Sequence, residues 1–149
     1  MAAFVVNEWL WADSSGENGP DAQRQAFQVI TMLANSDHQI VIIEGSAFDQ
    51  KAWKLCKSPD SMVAQRIAGL YVVSVRQNSD RCVILKPHEA AVLPDELALR
   101  IKSDDHYLVQ ALLTVGGSVL VTTDEPLLEI AATFGLRCSH RHEFLAAHL

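Results

Sequence analysis

Several carboxylates stand where a fold could gather them. Asn7 and Glu8 close the short apolar run Phe4-Val5-Val6. Glu44 follows a second run, Gln39–Ile43, and Asp49 lies about a turn and a half into the helical pattern behind it. Asp104 and Asp105 stand together at the start of a later helical pattern, and Asp124 directly follows residues 119–123. Carboxylate oxygens are hard donors. Mg²⁺ takes one or two of them, with waters and substrate phosphate completing its shell. Such ions can activate a water and steady the leaving oxygen of a phosphodiester. Like charges brought together repel and cost stability, so a cluster of acids needs a reason. The competing use is structural: an Asp at a helix start caps exposed N–H groups, worth about 1 kcal/mol. That use is open to Asp104, Asp105 and Asp124, and position alone does not choose between cap and ligand.

The elements that must position these residues follow from periodicity. Ala3–Val6 reads as a buried strand, residues 12–20 as a loop rich in Ser and Gly, and residues 20–34 as a helix with Pro20 in its first turn. Gln39–Ile43 is a second strand, and its continuous apolar run Ile40, Val41, Ile42 and Ile43 is the pattern of a strand covered on both faces. A helix opens at Gly45-Ser46 and carries Phe48, Ala52, Trp53 and Leu55 on one side. Residues 60–69 read as a further short helix, 70–75 as a third strand and Cys82–Leu85 as a fourth at an edge. Residues 88–94 are irregular. Helices are expected at 94–101, 104–115, 125–134 and 143–149, and strands at 119–121 and 136–138. Strands alternating with helices imply right-handed crossovers and a parallel sheet between helix layers.

Composition bounds the answer. The chain has 149 residues, 49% hydrophobic and 20% charged, which fits one globular domain over residues 1–149 rather than a disordered one. No apolar run is long enough to span a bilayer, and the N-terminus, with Glu8 and no basic start, does not read as a secretory signal. The net charge of −6 argues against coating nucleic acid by bulk charge. Cys56, Cys82 and Cys138 are odd in number and lack a CxxC spacing, so buried thiols in a reducing cytoplasm are expected. Cytoplasmic location and no membrane partner follow as expectations.

Other constellations are weaker. Lys51, Lys54 and Lys57 repeat every third residue and share a helix face. That face is either a phosphate-tracking patch for RNA, with Lys51 and Lys54 leading, or a solvated surface. His140 and His142 would point to opposite sides of an extended segment, which favours surface histidines over a transition-metal site. Trp9 and Trp11 are read as core or interface filling before base stacking. No Lys occurs after Lys102, which counts against a phospho-acceptor domain.

Residues 103–128, Ser-Asp-Asp-His-Tyr-Leu-Val-Gln-Ala-Leu-Leu-Thr-Val-Gly-Gly-Ser-Val-Leu-Val-Thr-Thr-Asp-Glu-Pro-Leu-Leu, resemble the C-terminal half of a PIN domain. The ending Phe134-Gly135-Leu136 with His142-Glu143-Phe144-Leu145 is similar to that family's closing strand and helix. Phe4-Val-Val-Asn7-Glu-Trp-Leu resembles its first strand. The resemblance implies a three-layer α/β/α sandwich with a parallel central sheet, and a Mg²⁺- or Mn²⁺-dependent ribonuclease, in some members the toxin of a toxin–antitoxin pair. It implies that Asp105 matches the acid at the helix start, Asp124 the acid after a strand and Thr123 a hydroxyl beside the metal. Asp49 best matches the acid of an earlier helix, with Glu44 its competitor, and Asp104 and Glu8 are reserve acids. Asn7 takes the place where the family has its first Asp. Asn offers a carbonyl oxygen but no charge, and Glu8 can compensate only if the strand has ended before it.

Two functions follow as expectations. One is a ribonuclease with Asp49, Asp105 and Asp124 as catalytic metal ligands and Asn7 as a neutral one. Its expected partners are RNA, an antitoxin protein or a second copy of the chain. The other is a PIN-like binding or assembly module that has lost catalysis through Asn7.

Overall fold

A computed structural model describes residues 1–149. Five strands, β1 Ala3–Val6, β2 Gln39–Ile43, β3 Cys82–Leu85, β4 Val119–Thr122 and β5 Cys138–His140, form one sheet in the order β3-β2-β1-β4-β5. Every pairing is parallel, with Phe4 opposite both Ile40 and Val119. Eight α-helices cover the two faces: α1 Trp9–Ser15, α2 Pro20–Asn35, α3 Ala47–Cys56, α4 Met62–Tyr71, α5 Asp95–Arg100, α6 His106–Thr114, α7 Glu125–Thr133 and α8 Arg141–His148. The architecture is the expected three-layer α/β/α sandwich. No helix is long and apolar enough to cross a membrane.

Alternation along the strands builds two cores, since successive side chains point to opposite faces. Phe4, Val6, Ile40, Ile42 and Val121 pack under α1, α2, α3, α4 and α8. Val5, Val41, Ile43 and Leu120 pack under α5, α6 and α7. The sheet order decides where a site forms. From β1 the chain first winds through β2 to β3, then returns to β4 on the other side of β1. In open parallel sheets such a reversal leaves a crevice beyond the carboxyl ends of the two strands that flank it. Here those strands are β1 and β4, which end at Val6 and Thr122.

Four expected elements are corrected. Residues 12–15 belong to α1, which the Ser-rich composition obscured. Ser14 Oγ donates to the Leu10 carbonyl at 2.6 Å and Ser15 Oγ to that of Ala12 at 2.7 Å, so both hydroxyls are satisfied inside the helix. Gly16 ends the helix at φ 90°, a left-handed conformation open to glycine. Residues 70–75 form no strand: α4 runs through Tyr71 into a widened π turn, Val72–Arg76. Ile67, Tyr71 and Val75 recur every fourth residue and are buried, whereas Val73 between them is exposed. The last strand is Cys138–His140, two residues later than the periodicity suggests. The helix expected from residue 104 opens with a 3₁₀ turn, Ser103–Asp105, before α6.

Candidate functional site

A cleft of about 890 Å³ opens at the ends of β1 and β4. Asn7, Glu8, Asp105, Thr123 and Asp124 all line it, so residues up to 117 positions apart meet there. β1 delivers Asn7 and Glu8. The Asn7 N–H still donates to the Val121 carbonyl at 3.1 Å, and α1 begins at Trp9. Glu8 has helical φ and ψ of −67° and −6°. The extended backbone has therefore ended, and Glu8 turns toward the cleft.

Each side chain has distinct commitments. Asn7 Nδ2 donates to Thr122 Oγ1 at 2.9 Å, and its Oδ1 accepts from the Glu8 N–H at 2.7 Å. The carboxamide thus ties β1 to β4 and helps launch α1. Glu8 receives Lys51 Nζ on Oε1 at 2.6 Å and the Tyr107 hydroxyl on Oε2 at 3.2 Å. Burial, followed by the charge of Glu8, pushes the Tyr107 phenol well above its ordinary range. Asp124 caps α7, its Oδ1 accepting from the Leu127 N–H at 3.2 Å, which leaves Oδ2 free of that role.

Asp105 differs from all of these. It occupies the cap position of α6 yet makes no cap hydrogen bond, and Asp104 caps nothing either. The capping alternative is thereby removed for both. Asp105 is half-buried, and its carboxyl is raised above the usual range by burial first, then by the charges of Asp124 and Glu8. Neither Asp105 nor Asp124 is in an ion pair. No three His, Cys, Asp or Glu side chains are closed around a metal-sized point.

Asp49 and Glu44, also expected at the site, lie elsewhere. Asp49 does not line the cleft. It is buried, and it takes Arg76 Nε on Oδ1 at 2.7 Å and Nη2 on Oδ2 at 3.0 Å, with the Gly45 N–H on Oδ2 at 2.9 Å. Its charge is consumed in tying α3 to the π turn, while Arg76 also lies 5.1 Å from the centroid of the Trp53 ring. Glu44 pairs with Lys86 at 3.2 Å on the exposed rim beyond β2 and β3. His106 Nε2 meets the carbonyls of Ala98 and Ile101 at 3.1 and 2.9 Å, so it fastens α6 to α5. Lys51 lines the cleft, and Lys54 lines an adjoining groove between α1 and α3. Trp9 and Trp11 are both buried; the Trp9 indole N–H donates to the Val121 carbonyl at 3.0 Å.

Three features escaped the sequence. Thr122, not Thr123, is the buried hydroxyl beneath the site: it accepts from Asn7 and from the Asp124 N–H at 3.1 Å. The alternation of Val119–Thr122 was its signal, since Thr122 shares a face with buried Leu120. Asp13, buried on α1, accepts from Arg141 Nε at 2.8 Å and from Asn18 Nδ2 at 2.8 Å. Its signal is the helical spacing from Trp9, visible only once 9–15 is read as a helix. The third correction concerns His140 and His142. Their rings stack at 4.8 Å instead of pointing apart, because α8 begins at Arg141 and His140 Nδ1 accepts from the His142 N–H at 3.0 Å.

The chain matches no protein-family model and no curated protein.

Proposed function

We propose that this cleft hydrolyses RNA phosphodiesters with Mg²⁺ or Mn²⁺, in the manner of the PIN-domain ribonucleases that residues 103–128 resemble. One observation carries the reading. Asp105 and Asp124, neither of them in an ion pair, line a single cleft at the sheet's reversal point. Repelling carboxylates kept without a salt bridge are a standing cost, and pKa values perturbed in a cleft mark functional sites.

The donors fit a hard cation. Asp105 has no hydrogen-bond duty, and Asp124 has Oδ2 uncommitted. One or two carboxylates are what Mg²⁺ takes from a protein. When bound, a divalent ion supplies Lewis acidity toward a phosphoryl oxygen and lowers the pKa of water. The chain's own residues do the rest. Asp105 offers a carboxylate with no hydrogen-bond duty, one oxygen of which can accept the proton of the attacking water. Asp124 is held rigid by its cap bond to α7. Lys51 brings an ammonium to the phosphate, and Lys54 extends that positive edge along α3. Asp49 has no part, because Arg76 already neutralises it. The toxin role, with an antitoxin protein as partner, extends this same reading.

The test is cleavage of RNA with Mn²⁺ by the parent and by Asp124→Asn. Asn keeps the helix cap, so the fold survives while the charge is lost. Activity should fall about a hundredfold or more, the scale of losing one catalytic electrostatic group. Equal activity in both, or none in either, sinks the assignment.

A second reading, a binding or assembly module, is favoured by one observation. The Asn7 carbonyl oxygen is committed to the Glu8 N–H, and Glu8 to Lys51 and Tyr107. Calorimetry separates the two: no heat with millimolar Mn²⁺, and affinity gained by Asn7→Asp, supports the module.

A further inference from the structure

The acid end of the cleft already contains a cation. Lys51, on α3, reaches Glu8 and holds its Oε1 at 2.6 Å. The other cation lining the cleft, Arg141, is engaged by Asp13 and Gln25. The Lys51 side chain is 53% exposed and the Glu8 side chain 24%, so the ammonium stands at the cleft surface and not beneath it. An ammonium is a compact point charge with three donors. One donor meets Glu8, and two remain for other oxygens. Glu8 and Lys51 line the same cleft as Asp105 and Asp124. A divalent ion seated against Glu8 would therefore face the ammonium at short range. The Lys51 ammonium already neutralises the Glu8 carboxylate, so Glu8 offers a second divalent ion little net attraction.

We propose that Lys51 is the built-in cation of the cleft, holding Glu8 and a substrate phosphate oxygen where a second divalent ion would sit, so that each chain binds one Mg²⁺ or Mn²⁺ on Asp105 and Asp124. The inference rests on the metal-dependent reading and adds its stoichiometry and the role of Lys51 as a phosphate-binding residue.

The experiment is a titration of the full chain with Mn²⁺, following the paramagnetic resonance signal of the free aquo ion. One ion per chain is expected for the parent and for Lys51→Arg, which keeps the charge. Lys51→Gln should bind two, or bind the first about tenfold more tightly. Two ions in the parent, or a count and affinity unchanged by Lys51→Gln, overturns the role of Lys51 and leaves the metal-dependent reading intact. No binding by the parent at millimolar Mn²⁺ overturns both. Asp124→Asn should lose the site; retention of parental affinity overturns the seat on Asp124.

Discussion

The guanidinium of Arg141 meets the carboxylate of Asp13 across 128 positions of the chain, Nε to Oδ2 at 2.8 Å. Arg141 Nη2 also donates to Gln25 Oε1 at 2.7 Å, and its Cζ lies 5.5 Å from the centroid of the Trp9 ring. One residue at the start of α8 therefore clasps α1 and α2. The pair borders the cleft, so the wall of the site and the docking of the last helix are one structure.

Removing one partner of this pair should be costly. The side chains are only 13% and 5% exposed, and a lone buried charge has no water to solvate it. Asp13→Asn is expected to lose about 3 kcal/mol in urea unfolding. Asp13→Asn combined with Arg141→Gln should cost less than the sum of the singles, because the second change removes the orphaned charge. Strict additivity in that cycle would show the pair to be uncoupled.

Asp49 and Asp124 should behave oppositely. Asp49→Asn breaks the two-point contact with Arg76, so it is expected to destabilise by about 3 kcal/mol. Mn²⁺ affinity should be unchanged in whatever fraction stays folded. Asp124→Asn should leave the melting temperature nearly unchanged, since Asn also caps well, yet abolish the Mn²⁺ response. Differential scanning fluorimetry with and without Mn²⁺ reads both effects.

Asp105 should be a stability defect at neutral pH. Its carboxyl is raised by burial and then by Asp124, so the ionised form is disfavoured in the folded state. The cost is present above the raised pKa and disappears as pH falls below the ordinary value of 3.8. Asp105→Asn should therefore melt about 1–2 °C higher than the parent at pH 7, a gain discounted for partial exposure. The two curves should converge on acidification. An equal difference at pH 3 and pH 7 would assign the effect to packing instead.

His148 should make the C-terminal helix acid-sensitive. Burial first, and the neighbouring His38 second, lower its pKa from 6.5. The unfolded chain then binds the proton more readily, so stability is full above pH 6.5 and declines as pH falls toward the lowered value. The rings of His38, Phe4 and Phe144 surround it at 5.2, 5.3 and 4.9 Å. Between pH 7.5 and 5.5 the parent should lose about a degree more in melting temperature than His148→Gln. Parallel pH profiles would contradict this.

The legible parts were those whose signal is local. Ala3–Val6 and residues 40–43 are runs of apolar residues, and α2 begins at Pro20 with buried Ala26, Val29, Ile30 and Leu33 at helical spacing. Residues 70–75 were not legible in this way. Leu70 to Val75 reads as a strand over six residues and as a helix only when Ile67 is counted with Tyr71 and Val75. A parallel sheet puts the start of α6 and the end of β4 at the same sheet edge, which is where Asp105 and Asp124 stand. The exclusion of Asp49 does not follow from the sheet.

The sequence by itself determined five of the strands and most of the helices, the parallel sheet and the presence of acids beyond its strand ends. Periodicity and short-range turn chemistry encode those features residue by residue. Only the tertiary structure decided which acids keep an uncompensated charge. Asp13, Asp49 and Glu8 each acquire a cation from a distant element, whereas Asp105 and Asp124 do not. An ion pair depends on how two helices dock, and a chain read in one dimension carries no record of that distance.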